Sequence, residues 1–290
     1  MFKHLPVVCV ALLALAACSN SNNSGAPAPA PSPAATSTVS TTPAPAGAVS
    51  APSDGNAPAA ATTAPSPAQT AAAPEATAAP PPFVDNGKWV EGKNYFLIDP
   101  PQPTGHPGKI EVTEVFSYGC PACNAFHGTV DRIARSLPAD AVMNYLPASF
   151  RPDENWPLYQ RAFFAAQALG LVAKTHDAMY DATWKSGELA TYNLQSGQPK
   201  PRAGWPTIDD AAKFYAHYGV STQDFLAAAN SFAVNTQMKR ADDLVKAYGV
   251  DATPTMIING KYRYTVTSAG GYPEAFQLAQ WLVAKEAAGK

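Results

Sequence analysis

Ile110-Glu111-Val112-Thr113-Glu114-Val115-Phe116, then Ser117-Tyr118-Gly119, then Cys120-Pro121-Ala122-Cys123 form the stretch that decides how this chain folds. The first seven residues are rich in β-branched side chains and read as a strand. Its period of two places Ile110, Val112, Glu114 and Phe116 on one face. Ser117 to Gly119 read as a turn, and Pro121 suits the first turn of a helix, where its missing N–H costs nothing. Down that helix Cys123, Phe126, Val130, Ile133 and Leu137 recur at spacings of three and four, so Cys123 is expected to face the core. Cys120, at the N-cap, is expected to face outward. Pro138 closes the helix, and Ala141 to Leu146 reads as a second strand. The unit is β-α-β, with the two cysteines at its strand-to-helix turn.

Working outward, residues 150–235 read as helical. Leu158, Ala162, Ala165 and Leu169 stripe one segment, which Gly170 ends. A second helix is expected near Thr175 to Lys185. Thr207 and Ser221 each precede an acid by three residues, a helix-start signature. A further helix over about Thr236 to Tyr248 stops at Gly249. Then come Thr253-Pro254, the apolar run Thr255 to Ile258, and Asn259-Gly260, a strong hairpin signal. Tyr262 to Val266 is the expected partner strand, followed by a helix from about Pro273. The order predicts one α/β domain over residues 83–290, interrupted by an all-helical insertion over 150–235.

The N-terminus has a different character. Lys3, the apolar run Leu5 to Leu15 and the sequence Leu15-Ala16-Ala17-Cys18 read as a signal segment, residues 1–17, to be left out of the fold. Leu15 to Cys18 resembles the lipobox of bacterial lipoproteins, which implies cleavage before Cys18 and a lipid on its sulfur. An ordinary signal peptide leaving a free Cys18 is the alternative. Between Ser19 and Pro82 lie 14 of the 29 prolines, no aromatic residue, no Lys or Arg, and only Asp54 and Glu75 as acids. Such a segment buries too little apolar surface to offset the entropy of ordering, so residues 18–82 read as a disordered Pro/Ala-rich tether. As a flexible coil it would span about 45 Å, and about 200 Å if fully extended as polyproline II.

All five Trp and all twelve Tyr fall after the tether, which supports one ordinary core. The net charge of −2 gives no basis for nucleic-acid binding. Cys9 leaves with the signal segment and Cys18 is capped, so Cys120 and Cys123 remain as the thiols of an exported chain. A framework of several bridges is excluded. The pair is either redox-active or half of a metal site. His127 could extend it, but two groups do not make a zinc site, and a solvated helix-face histidine is the plainer reading. No metal and no cofactor is expected.

A cysteine at a helix N-terminus sits among N–H groups without intrahelical partners, at the positive end of the dipole. That favours thiolate, makes Cys120 a good leaving group, and stabilises the reduced form, so the disulfide becomes more oxidising. Cys120-Pro121-Ala122-Cys123, Glu114 upstream, the run Gly249 to Tyr262 around Thr253-Pro254, and the helical insertion together resemble the bacterial DsbA family of thiol:disulfide interchange proteins, from about Trp89 to the C-terminus. The resemblance implies a thioredoxin-like fold. It implies Cys120 as nucleophile, Cys123 as resolving cysteine and Glu114 as a buried acid exchanging protons with Cys123. It implies a cis Thr253-Pro254 bond over the pair, with Pro121, Ala122, Thr253 and Pro254 meeting the substrate. A surface glutamate and an ordinary trans turn are the plain alternatives for Glu114 and Pro254.

Well-known members of that family carry His where this chain has Ala122. A methyl cannot donate to a thiolate, so this pair is expected to be the milder oxidant. The function that follows is an oxidase of newly exported, cysteine-containing proteins. It would act as a monomer in the bacterial periplasm, held to a membrane by lipid on Cys18 and reoxidised by a quinone-linked partner of the DsbB type. A disulfide reductase or isomerase, and a non-enzymatic metal-binding module of the same fold, are the alternatives.

Overall fold

The computed structural model describes residues 83–289. The signal segment, Cys18 and the tether lie outside the described residues. Five strands form one sheet in the order β1-β5-β4-β2-β3. Its centre is β2, Ile110–Phe116, which pairs in parallel with β3, Ala141–Pro147, across helix α1, Pro121–Ser136. On its other side β2 runs antiparallel to β4, Thr255–Ile258. Strand β4 returns as β5, Tyr262–Thr265, and the two-residue β1, Phe96–Leu97, lies along the outer edge of β5.

Every residue of β2 after Ile110 is buried, because both faces of the sheet are covered. On one face Val112, Met256 and Ile258 pack against Phe126, Val130 and Ile133 of α1 and Leu278 and Leu282 of α8, Tyr272–Ala287. On the other, Val115 and Ile257 share a core with Ala241, Val245 and Tyr248 at α6, Phe232–Ala247. Between β3 and α6 stand the helices α2, Trp156–Ala168, α3, Val172–Trp184, α4, Ile208–Ala216, and α5, Thr222–Ala229. Short α7, Val266–Ala269, links β5 to α8.

Local signals explain most element ends. Thr207 closes a full capping box with Asp210, and Ser221 accepts from the Asp224 N–H. Helix α6 starts four residues before the expected Thr236, because Ser231 caps it by accepting from Val234 N–H. The turn residues Asn259 and Gly260 both have positive φ, 52° and 66°, the combination a type I′ hairpin requires. Gly260 has a second duty. The Gln102 N–H donates to its carbonyl at 3.0 Å, and a Cβ built on Gly260 would overlap the Gln102 carbonyl. The segment entering the domain is laid across the hairpin tip at that contact. Gly260→Ala should therefore cost at least about 1–2 kcal/mol from the left-handed backbone alone, read as a lower urea midpoint. An unchanged midpoint would show that the tip can move away.

Candidate active site

The two cysteines stand where β2 hands over to α1. Cys120 is the N-cap: its backbone is extended, and its Sγ accepts the Cys123 N–H at 3.3 Å. Cys120 N–H donates to Ser117 O at 3.0 Å and Gly119 N–H to Ser117 Oγ at 3.2 Å, which closes the turn. Gly119 is required here, since a Cβ would lie 2.7 Å from the Tyr159 ring and 3.2 Å from Trp156. Helix α3 holds the turn from behind. Trp184 Nε1–H donates to Tyr118 O at 2.7 Å, and the Tyr118 hydroxyl lies 2.8 Å from His176 Nδ1.

Both thiols are free. Cys123 is fully buried, as its stripe position requires. Cys120 departs from expectation: it is only 4 % exposed rather than turned to solvent. The reason is the loop before β4, which roofs it, the Cys120 thiol donating to Thr253 O at 3.5 Å. The Thr253-Pro254 bond is cis. A cavity of about 290 Å³ opens beside the pair, lined by Ala122, Thr253, Pro254, Thr265, Val266 and Tyr272. Pro121 and Ala122 are both exposed, and Ala122 lines the cavity.

The electrostatics of the two sulfurs are opposed. A hydrogen bond from the Cys123 thiol lowers the Cys120 pKa most, outweighing desolvation with help from Thr253 and the N–H groups of Cys123 and Ala122, to about 6. Burial, and then the neighbouring Cys120, push Cys123 well above its ordinary value. Glu114 lies on β2, fully buried, with neither carboxylate oxygen hydrogen-bonded. Burial foremost, then Cys120 and Asp131, raise its pKa to about 8. A reactive thiolate, a protonated second thiol and a carboxyl able to exchange a proton near neutrality thus occupy one site.

The structure brings Cys120, Cys123, Glu114, Pro121, Ala122, Thr253 and Pro254 into one locality. His127 instead pairs with Asp177, Nε2 to Oδ1 3.0 Å. Among the described residues the one group arranged to hold a metal is His127, Asp131 and Asp177, and it contains neither cysteine. Sequence reasoning did not anticipate Tyr118, His176, Tyr180 and Trp184 packed behind the pair, nor Val266 and Tyr272 beside it.

Comparison with known proteins decides what such a site belongs to. A family model described as Thioredoxin matches residues 106–270. The thiol:disulfide interchange protein DsbA of Pseudomonas aeruginosa is 37 % identical over 200 residues, covering 69 % of this chain and 87 % of that protein. That of Azotobacter vinelandii is 34 % identical, covering 67 % and 83 %. The chain belongs to the DsbA family. The crystal structure of Pseudomonas aeruginosa DsbA superposes with a TM-score of 0.60 at 36 % identity, covering 70 % of this chain and 97 % of that one. The oxidoreductase DsbA from Xylella fastidiosa gives 0.59 at 29 %, covering 68 % and 97 %. The fold is thus the thioredoxin-like fold of DsbA, and the chain is a protein-disulfide oxidoreductase.

Within a DsbA site, Thr253 offers a direct test of what holds the thiolate. Its Oγ1 is buried and unpaired, so its proton is available once Cys120 loses its own, and it lowers the Cys120 pKa. Thr253→Val should raise that pKa from about 6 by roughly one unit, whereas Thr253→Ser should leave it in place. The midpoint of thiolate ultraviolet absorbance measures both. Equal midpoints in the Val variant and the parent would remove the hydroxyl from the account.

Proposed function

We propose that this chain is an oxidase that donates the Cys120–Cys123 disulfide to cysteine-containing client proteins through a mixed disulfide on Cys120. The observation that carries this is the N-cap position of Cys120, receiving the Cys123 N–H, with Cys123 fully buried behind it. A client thiolate attacks Cys120 Sγ, the bond to Cys123 breaks, and Cys123 leaves with the electron pair. Cys123 takes its proton from Glu114, whose raised pKa keeps that proton at neutral pH. A second client thiolate then attacks the client sulfur of the mixed disulfide. Cys120 departs as a stabilised thiolate, and two electrons have passed to the enzyme.

In this reading the cavity beside Ala122, Thr253 and Pro254 receives an extended client segment, whose backbone pairs with that of Thr253. Pro121 and Ala122 are the rim it crosses. The reduced pair would be reoxidised by a quinone-linked membrane partner of the DsbB type. Ala122 favours one variation. Its exposed methyl gives the thiolate no donor, so this pair would be less oxidising than those of members with His there, which leans toward reductase or isomerase work under reducing conditions.

The remaining parts follow from the sequence. Residues 1–17 would be removed, Cys18 lipidated, and residues 18–82 would tether the domain 83–290, with its 150–235 insertion, to a periplasmic membrane face. The domain would act as a monomer. No helix among the described residues is long and apolar enough to cross a membrane.

Two experiments test these readings. Cys123→Ala should accumulate mixed disulfides with clients on non-reducing gels, and Cys120→Ala almost none. Equal trapping would overturn the assignment of nucleophile. Intact mass of the mature protein should carry the added lipid at Cys18, and an unmodified Cys18 would end the anchor reading.

A further inference from the structure

The seam between α1 and α3 gathers ligand-capable side chains that the disulfide site does not use. His127 follows Cys123 by one turn of α1, and Asp131 follows His127 by another, so their side chains lie on one face of the helix. Asp177 meets them from α3, its Oδ1 3.0 Å from His127 Nε2. One donor atom from each of the three lies within 4.8 Å of the other two.

Two carboxylates drawn this close repel each other unless a cation stands between them. Among the described residues no Lys or Arg pairs with either acid, and the Asp131 carboxylate takes no hydrogen bond. Asp177 is 79 % exposed and has open water to turn into, yet it lies against the imidazole. The His127 side chain is held from behind. It is 14 % exposed, and its ring lies 4.3 Å from that of Tyr180 and 5.3 Å from that of His176. That packing fixes the direction of Nε2 and leaves the two carboxylates free to rotate. A further polar atom beside His127 is unspent. His176 is buried, with its Nδ1 2.8 Å from the Tyr118 hydroxyl and its Nε2 without a partner. Burial, and then His127, keep that ring neutral, its pKa lowered to about 3, so it adds no charge that would repel a cation.

We propose that His127, Asp131 and Asp177 form a zinc site that bridges the helix carrying the cysteines and the helical insertion. The inference is independent of the oxidase reading, since neither cysteine is a ligand. An imidazole nitrogen with two carboxylate oxygens is a donor set that zinc accepts, whereas calcium and magnesium take oxygen ligands. The neutral imidazole binds through Nε2, and the two carboxylates balance the two charges of the ion. Tetrahedral zinc at its ordinary bond lengths holds neighbouring ligand atoms about 3.3 Å apart. The 3.0 Å between Nε2 and Oδ1 is close to that spacing, and rotation of the Asp131 side chain brings in the third ligand. Three protein ligands leave a fourth position for water, for which His176 Nε2 is an unspent partner. A bound ion would add a metal brace between α1 and α3 to the hold that Trp184 has on Tyr118.

Zinc alone is the probe, titrated calorimetrically into the full chain with Cys120 and Cys123 joined as a disulfide, so that neither thiol competes. Any contribution of Cys18 is common to all the variants. One zinc per chain should bind saturably and raise the thermal midpoint by mass action. His127→Ala should abolish that binding. Asp177→Asn, a change of charge at an exposed position, keeps the test sound if loss of the His127 ring disturbs the fold, and it should weaken binding by about tenfold or more. His217→Ala, which removes an exposed histidine elsewhere, should bind zinc as the parent does, and excess calcium or magnesium should not displace it. No saturable zinc binding by the parent, equal affinity in Asp177→Asn and the parent, or displacement by calcium would each overturn the site.

Discussion

Everything at this site depends on opposite electrostatic treatment of two sulfurs three residues apart. The N-terminus of α1 offers Cys120 the N–H groups of Ala122 and Cys123, which have no carbonyl partner within the helix, and the Cys123 thiol adds a further donor. Cys123, one turn on, is enclosed by the core and cannot hold charge. One helical turn is enough to create this difference, provided the helix starts at residue 121 and its stripe faces the sheet. The sheet, the Gly119 turn and the hold of Trp184 on Tyr118 serve that requirement. So does the loop at Thr253, which shelters the reactive sulfur while leaving an open cavity beside it.

The arrangement is costly to the fold. Glu114 has a folded pKa of about 8 against an ordinary value of 4.5. The native state therefore binds a proton that the unfolded chain releases between those values, and stability falls as pH rises through that window. Below about pH 4.5 both states are protonated and the penalty vanishes. Above 8 it is complete, on the order of a few kcal/mol. Cys120 works in the opposite sense in the reduced protein. Its lowered pKa contributes stability that is full above its ordinary value of 9.0 and is lost as pH falls through about 6. At neutral pH only part of that contribution is present, so a buried acid with no hydrogen-bonded partner persists as a net burden. Its place on the central strand is therefore not explained by stability.

Much of this was legible in the sequence because it is written in local patterns. The alternation of Ile110 to Phe116, the stripe from Cys123 to Ile133, and Asn259-Gly260 each specify backbone geometry within a few residues. The capping box at Thr207 does the same. What escaped depends on contacts distant in the chain. Cys120 was expected to face outward because its helix position says so, but the roof over it comes from Thr253, 133 residues later. Strand β1 has two residues and exists only because β5 offers an edge. Helix α6 begins earlier than its pattern suggests because Ser231 caps it without the acid that marks Thr207 and Ser221. Tyr118, His176 and Tyr180 carry no spacing signal that distinguishes them from ordinary core aromatics, and they meet only when α3 folds over β2.

The Ala122 position shows how far a local difference reaches. In this structure none of the groups that lower the Cys120 pKa comes from the side chain at residue 122. The Cys123 thiol, Thr253 and the two N–H groups account for the lowering. These belong to the helix start, the buried second cysteine and the loop before β4, which the fold supplies regardless of what stands between the cysteines. A histidine there would act on top of that base by adding a donor to the thiolate, an interaction lost when the sulfur enters a disulfide. Such a donor would add to the lowering of the Cys120 pKa without touching the burial that raises that of Cys123. That asymmetry is set by backbone donors on one side and burial on the other. An alanine at 122 leaves that asymmetry in place, since the donors that lower the Cys120 pKa are all supplied by other residues and by the backbone.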